Sequence, residues 1–184
     1  MTFFQIEVEI NASPEAVWET MRDAERWPEW TPTVTSVQLR TPPPLAVGSL
    51  AVIRQPRLPP ALWRLVELDN ALRSVTWVNS APGVRVTAKL SVAPICESSR
   101  ATISLRFEGL LAGILGFATR KLNDRYLALE AQGLKSRVEG FGHASTTEKP
   151  QSDDDISRCG AGHWFLAAQS PCKFRGIANL NKAS

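Results

Sequence analysis

The first residues of the chain alternate between apolar and polar side chains, and the pattern then becomes helical. In residues 3–10 apolar side chains occupy every second position. This period of two predicts an antiparallel strand with one buried face. Ser13 and Pro14 then predict a helix start, because Ser is a good N-cap and Pro fits the first helical position. A second short helix is expected around residues 23–27, ending at a proline.

From Thr33 to Phe107 the chain has the pattern of a run of antiparallel strands. Segments of alternating polarity are separated by turns rich in Pro, Gly, Asp and Asn. Six strands are expected, at residues 33–40, 49–55, 62–68, 74–79, 84–92 and 101–107. Together with the first strand they predict an antiparallel sheet of about seven strands.

After Gly109 the spacing of apolar residues changes from two to about 3.6. This change predicts one long amphipathic helix that reaches about Val138. Its apolar stripe is expected to hold Leu111, Leu115, Ala118, Leu122, Tyr126, Leu129 and Gly133. The more solvated positions are expected to be Arg120, Lys121, Asp124, Arg125 and Glu130. A sheet with one apolar face must be covered, so the helix is expected to lie across it in an α+β fold.

Composition limits the classes of protein that this chain can belong to. Of its 184 residues 43% are hydrophobic and 21% are charged, which is typical of a globular protein. The net charge is only +3 and the basic residues are scattered, so no nucleic-acid partner is expected. No segment is long and apolar enough for stable membrane insertion, and the start of the chain lacks a signal-peptide pattern. Three widely spaced cysteines predict thiols in a reducing compartment, so a cytoplasmic location is expected.

The character of the chain changes after about residue 141. Residues 1–141 are expected to form one domain, and residues 142–184 a poorly ordered or loosely docked extension that begins with a polar linker. The extension contains Cys159, His163 and Cys172, which are residue types that zinc prefers. Structural zinc takes four ligands and no fourth is evident, so no metal site is expected. No cofactor is expected either, and the sequence does not indicate an oligomeric state.

Six short stretches together resemble one protein family. They are Ile10-Asn-Ala-Ser-Pro-Glu-Ala-Val-Trp18, Trp27-Pro-Glu-Trp30, Val47-Gly48, Leu62-Trp-Arg-Leu-Val-Glu67, Val75-Thr-Trp77 and Tyr126 to Lys135. Their order and spacing over residues 3–139 resemble the polyketide cyclase/dehydrase and lipid transport family, within the START-like (SRPBCC) superfamily. The resemblance implies a helix-grip fold, in which a curved sheet wraps around the C-terminal helix and leaves a cavity between them. It also implies either binding of a lipid or similar molecule, or cyclisation or dehydration of a polyketide.

A cavity for a hydrophobic guest needs apolar walls and a few polar groups that orient the guest. Aromatic side chains provide large contact areas, and strand parity places Gln55 with Ile53, and Asn79 with Trp77. The expected ligand-binding residues are Trp27, Trp30, Gln55, Trp63, Trp77, Asn79, Leu115, Leu122 and Tyr126, with Ala118 as a further wall residue. The alternative for these aromatic residues is that they simply fill the core.

Catalytic residues are not evident in the domain. The two histidines of the chain, His143 and His163, both follow the long helix and lie beyond the domain, so no imidazole is available in the domain as a general base. The leading hypothesis is therefore a binder of a small hydrophobic or amphipathic molecule. The second is a polyketide cyclase or dehydratase in which Arg54, Gln55 or Glu67 orients an enolate, and the third is an interaction module that uses the extension. Arg85 and Glu7 are expected at the surface.

Overall fold

A single antiparallel sheet of seven strands is the framework of residues 1–142, which are the residues that the computed structural model describes. The strand order in the sheet is β1-β7-β6-β5-β4-β3-β2. The strands are β1 Thr2–Ile10, β2 Ser36–Leu39, β3 Leu50–Arg54, β4 Ala61–Asp69, β5 Ser74–Ala81, β6 Val84–Ile95 and β7 Ser98–Glu108. All six strands expected after the first are present, with ends that differ by a few residues.

The strands from β2 to β7 follow one another as hairpins, and β1 joins the far edge. Each strand pairs with the next one in sequence, while β1 pairs with β7 along its whole length. A bulge between Leu65 and Glu67 interrupts the β4–β5 ladder. Such a bulge bends a strand and increases its twist. The apolar face that alternation predicts on β6 and β7 is the one that faces the core.

Two short helices follow β1, as the sequence predicts. Helix α1 spans Pro14–Arg22, and a 3-10 helix spans Ala24–Glu29. The Ser13 hydroxyl accepts the Ala16 backbone N–H at 3.3 Å, so Ser13 is the N-cap. Helix α1 buries Val17, Trp18 and Met21 in the hydrophobic core.

The expectation of one continuous helix after Gly109 is wrong. The segment forms α2, Ala112–Ala118, and α3, Arg120–Gly142, with a break at Thr119. The Thr119 hydroxyl donates to the Leu115 carbonyl at 2.7 Å, and the Thr119 backbone has φ −98° and ψ 4°. A threonine hydroxyl that binds the carbonyl four residues earlier competes with the helical ladder and bends the chain.

The inward face of α3 also differs from the expected stripe. Its buried residues are Asn123, Tyr126, Leu127, Ala131, Leu134 and Val138. Helix α3 packs on β1, β7 and α1 through this face. Gly133, which belongs to the expected stripe, lies at one edge of this face, directly against the backbone of Trp30 with no space for a Cβ atom. The helix is turned relative to the expectation, so that Glu130, expected in solvent, lies on the inner side.

Polar contacts fix the second half of α3 to its neighbours. Lys135 donates to the Glu9 carbonyl at 2.6 Å, and the Glu139 carboxylate accepts the Asn11 backbone N–H at 2.8 Å. Arg137 pairs with Glu29 at 2.7 Å. These groups are partly exposed, so each pair contributes at most about 1 kcal/mol, and their main effect is to set the position of the helix.

Residues 143–184 lie outside the described residues. The expected extension falls there, apart from Gly142 at the end of α3, and so do the histidines and the cluster of Cys159, His163 and Cys172. Within residues 1–142 no helix has the length and apolar character needed to cross a membrane.

Candidate functional site

A cavity of about 320 Å3 lies between the sheet and α3. Eight of the nine expected ligand-binding residues line it: Trp27, Trp30, Gln55, Trp63, Trp77, Asn79, Leu115 and Tyr126. Leu122 does not, because the lining face of α3 includes Asn123, Tyr126 and Glu130. A residue one position before Asn123 lies about 100° round the helix from it. Ala118, the further wall residue, is exposed and also lies outside the lining.

Most of the wall is apolar and comes from alternate residues of the central strands. On β6 these residues are Val84, Val86, Ala88 and Leu90, and on β7 they are Ile103, Leu105 and Phe107. Ile53 and Gln55 point the same way from β3 and its end, as do Trp77 and Asn79 from β5. The strand parity that the sequence predicted for Gln55 and Asn79 therefore directs both side chains to the cavity.

Two tryptophans form the aromatic end of the wall. Trp27 and Trp77 meet edge to face, with ring centroids 6.4 Å apart and an angle of 74° between the ring planes. The Trp27 indole N–H donates to the Met21 carbonyl at 2.9 Å, which fixes the orientation of the ring. An edge-to-face pair of this kind adds about 0.5–1.5 kcal/mol beyond its buried area.

Three polar side chains at the cavity donate to oxygen atoms of the protein itself. The Asn79 amide donates to the Leu62 carbonyl at 2.8 Å. The Asn123 amide donates to the Thr119 hydroxyl at 2.9 Å, and the Tyr126 hydroxyl donates to the Pro56 carbonyl. These bonds hold the side chains in place and occupy donors that a guest could otherwise use.

Glu130 is the acidic residue among the described residues that line the cavity, and none of those residues is Lys, Arg or His. The Thr33 hydroxyl donates to Glu130 Oε1 at 2.7 Å. Burial raises the pKa of Glu130 to about 7, and the hydrogen bond from Thr33 opposes this effect. The carboxyl group therefore changes its charge near neutral pH.

The Thr33 hydroxyl belongs to a short chain of hydrogen bonds. The Thr31 and Thr33 hydroxyl oxygens lie 2.9 Å apart, and the Thr33 backbone N–H donates to the Thr31 hydroxyl at 3.3 Å. Because Thr33 donates to Glu130, Thr31 must donate to Thr33. Every donor in the chain therefore points towards the carboxylate.

Sequence reasoning missed Glu130, together with Thr31, Thr33, Thr119 and Asn123. One signal was present, since Glu130 follows Tyr126 by four residues and Asn123 by seven, which places all three on one helix face. An acidic residue in a helix with many charged residues is usually solvated, and this rule placed Glu130 on the wrong side of the helix.

Two polar residues considered for the site lie elsewhere. Arg54 and Glu67 are exposed and do not line the cavity. Arg85 is exposed as well, as expected. Glu67 instead accepts the Thr76 hydroxyl at 2.7 Å and pairs with Lys89 at 3.6 Å on the other face of the sheet. The hypothesis that Arg54 or Glu67 orients an enolate inside the cavity is therefore wrong, because alternate residues of a strand face opposite sides.

Two indole nitrogens beside the cavity have no hydrogen-bond partner among the described residues. They belong to Trp30 and Trp63, and each nitrogen has less than 1 Å2 of accessible surface. Atoms as enclosed as this are out of reach of a guest unless the rings move. They consequently do not add donors to the cavity surface.

Comparisons with known proteins agree with this architecture. The family model for polyketide cyclase/dehydrase and lipid transport matches residues 1–139. No curated protein matches the chain. Among solved structures, a START superfamily protein from Mycobacterium smegmatis is 19% identical with a TM-score of 0.61, and the match covers 76% of this chain and 98% of that one.

Two further structures have the same fold. Major latex-like protein 151 from Panax ginseng is 15% identical with a TM-score of 0.60, over 74% of this chain and 96% of that one. The di-domain ARO/CYC BexL of the BE-7585A biosynthetic pathway is 17% identical with a TM-score of 0.59, over 76% of this chain and 47% of that one. These likenesses confirm the helix-grip α+β fold. With the family match over residues 1–139, they establish that this chain belongs to the polyketide cyclase/dehydrase and lipid transport family.

Proposed function

We propose that this protein holds a small hydrophobic or amphipathic molecule in the cavity between the sheet and α3. The observation that carries the proposal is an apolar, Trp-rich cavity of about 320 Å3 with few polar groups. An apolar cavity of this size costs stability while it is empty, because its walls lack packing contacts. A bound guest would supply those contacts. Membership of a family described by lipid transport and polyketide cyclisation supports the same proposal.

Mild purification followed by native mass spectrometry tests the proposal directly. The full-length protein is expected to retain a guest that organic extraction releases. Ala88→Phe places a ring in the cavity from β6, and it should reduce guest retention strongly. Ala93→Phe is the matched control, since Ala93 is exposed and lies outside the lining.

The proposal fails if the wild-type protein never carries a guest and shows no thermal shift with fatty acids or aromatic ligands. It also fails if both phenylalanine variants retain guest and respond to ligands as the wild type does. Circular dichroism of each variant would confirm that loss of binding does not reflect loss of the fold.

A second candidate function is catalysis of polyketide cyclisation or dehydration in the same cavity. Glu130 favours it, because a carboxyl group with a pKa of about 7 inside an apolar cavity can act as a general base. Cyclisation of a linear poly-β-ketone, followed by the absorbance of the aromatic product, should then be lost in Glu130→Gln. Glu67→Gln should retain it, since Glu67 is exposed on the sheet.

A further inference from the structure

The strong hydrogen-bonding group that the cavity offers to a guest is an acceptor. Trp27 and Tyr126 have one side-chain donor each, and it is bound to an oxygen of the protein. The amides of Asn79 and Asn123 each use one of their two N–H donors in the same way, and like Gln55 they keep both a donor and an acceptor, so these amides favour neither kind of guest. The preference for a guest therefore depends on Glu130.

Glu130 is the strongest of these acceptors. A carboxylate has about four acceptor positions, and the described residues fill one of them with the Thr33 hydroxyl. The hydroxyl chain from Thr31 through Thr33 ends on this carboxylate with its donors aligned, an arrangement that stabilises the charged form.

No basic side chain lines the cavity among the described residues, so the protein itself does not neutralise a charged Glu130. An acidic guest would meet this carboxyl without any compensating cation, and such a pair is unfavourable at low dielectric. A cationic guest would supply the missing charge. The surrounding tryptophans favour it further, because aromatic ring faces attract cations.

We propose that the guest is an amphipathic amine, whose ammonium group binds the Glu130 carboxylate while its apolar body lies against the tryptophans. This inference rests on the proposed binding function and specifies its ligand class. An ammonium group has three donors and no acceptor, which complements the acceptor positions of the Glu130 carboxylate that Thr33 leaves open.

Binding of a cation must be linked to the charge of Glu130. Among the described residues, Tyr126 is the other ionisable side chain that lines the cavity. The segment of residues 31–35 packed against Glu130 carries hydroxyl groups and no charge. With its pKa raised to about 7, Glu130 is partly protonated at pH 7 in the empty protein. An ammonium beside it favours the carboxylate, so amine binding should release a fraction of a proton per molecule at that pH.

Three probes with one apolar body test the inference: 2-(1-naphthyl)ethylamine, 2-(1-naphthyl)ethanol and 1-naphthylacetic acid. Their binding to full-length protein stripped of co-purified guest would be measured by isothermal titration calorimetry at pH 8. The amine should bind about 10- to 100-fold more tightly than the alcohol, and the acid most weakly. Glu130→Gln should remove the advantage of the amine and leave the alcohol nearly unchanged, while Glu25→Gln at the exposed surface controls for net charge.

Proton release gives a readout that does not depend on any variant. Calorimetry of the wild type at pH 7 in two buffers of different ionisation enthalpy should show proton release with the amine and none with the alcohol. Equal affinities for amine and alcohol, tightest binding of the acid, or amine binding without proton release would overturn the inference and leave the proposed function standing. Absence of binding by all three probes would also overturn it. The proposed function fails with it only if the purified protein carries no guest either.

Discussion

The charge of Glu130 should make the stability of the domain depend on pH in a particular direction. Its pKa in the folded protein is about 7, compared with 4.5 for an ordinary glutamate. Between these two values the unfolded chain releases a proton that the folded domain retains. The free energy of unfolding should therefore fall as the pH rises from about 4.5 to about 7.

The magnitude follows from that interval. At about 1.4 kcal/mol per pH unit, the difference between 4.5 and about 7 corresponds to about 3 kcal/mol. Glu130→Gln keeps the shape of the side chain and does not titrate. Relative to this variant, the wild type should lose about 3 kcal/mol of stability between pH 4 and pH 8.

Urea denaturation of stripped protein, followed by tryptophan fluorescence at several pH values, measures this difference. Glu25→Gln removes one carboxyl group from the exposed surface and serves as the control for net charge. If the free energies of unfolding of the wild type and Glu130→Gln change with pH in parallel, to within about 1 kcal/mol, the expected effect of Glu130 is refuted. The environment of Glu130 would then be less apolar than its burial indicates.

Two further pairs of substitutions, each with its control, test how α3 is packed. Gly133→Ala should cost about 1–3 kcal/mol of stability, because its new methyl group would overlap the Trp30 carbonyl oxygen. Its control, Gly140→Ala, has open space around it and should be neutral or stabilising by up to about 1 kcal/mol. A Gly133→Ala variant as stable as Gly140→Ala would contradict this close approach. Leu134→Ala should cost about 2–5 kcal/mol since Leu134 is 0% exposed. Its control, Leu110→Ala, should cost little since Leu110 is 94% exposed. Similar urea midpoints for the two variants would refute the assignment of the inner face.

The sheet could be predicted from the sequence because its signal is local. A period of two tells which residues share a face of a strand, and it grouped Gln55 with Ile53 and Asn79 with Trp77, while the structure shows that these faces line the cavity. The helix-starting role of Ser13 was also readable, since an N-cap depends on residues within one turn. Eight of the expected residues line the cavity, although their role as ligand contacts stays a prediction.

The rotation of α3 could not be predicted from local signals. Its sequence is compatible with two neighbouring stripes, one through Leu122 and Leu129 and one through Leu127 and Leu134. The tertiary packing selects the second, since Leu127 and Leu134 are buried whereas Leu122 and Leu129 are only partly buried. Choosing the wrong stripe puts a residue such as Glu130 on the wrong side of the helix, because each step along a helix turns the side chain by about 100°.

The chain by itself determined the antiparallel sheet, the two short helices and the aromatic character of the interior, because each depends on the spacing of neighbouring residues. Only the tertiary structure decided which polar groups meet inside. The Thr33 hydroxyl and the Glu130 carboxyl are 97 positions apart in sequence and 2.7 Å apart in space. Their meeting depends on how closely two separate segments pack, and burial between those segments then sets the charge of the carboxyl group.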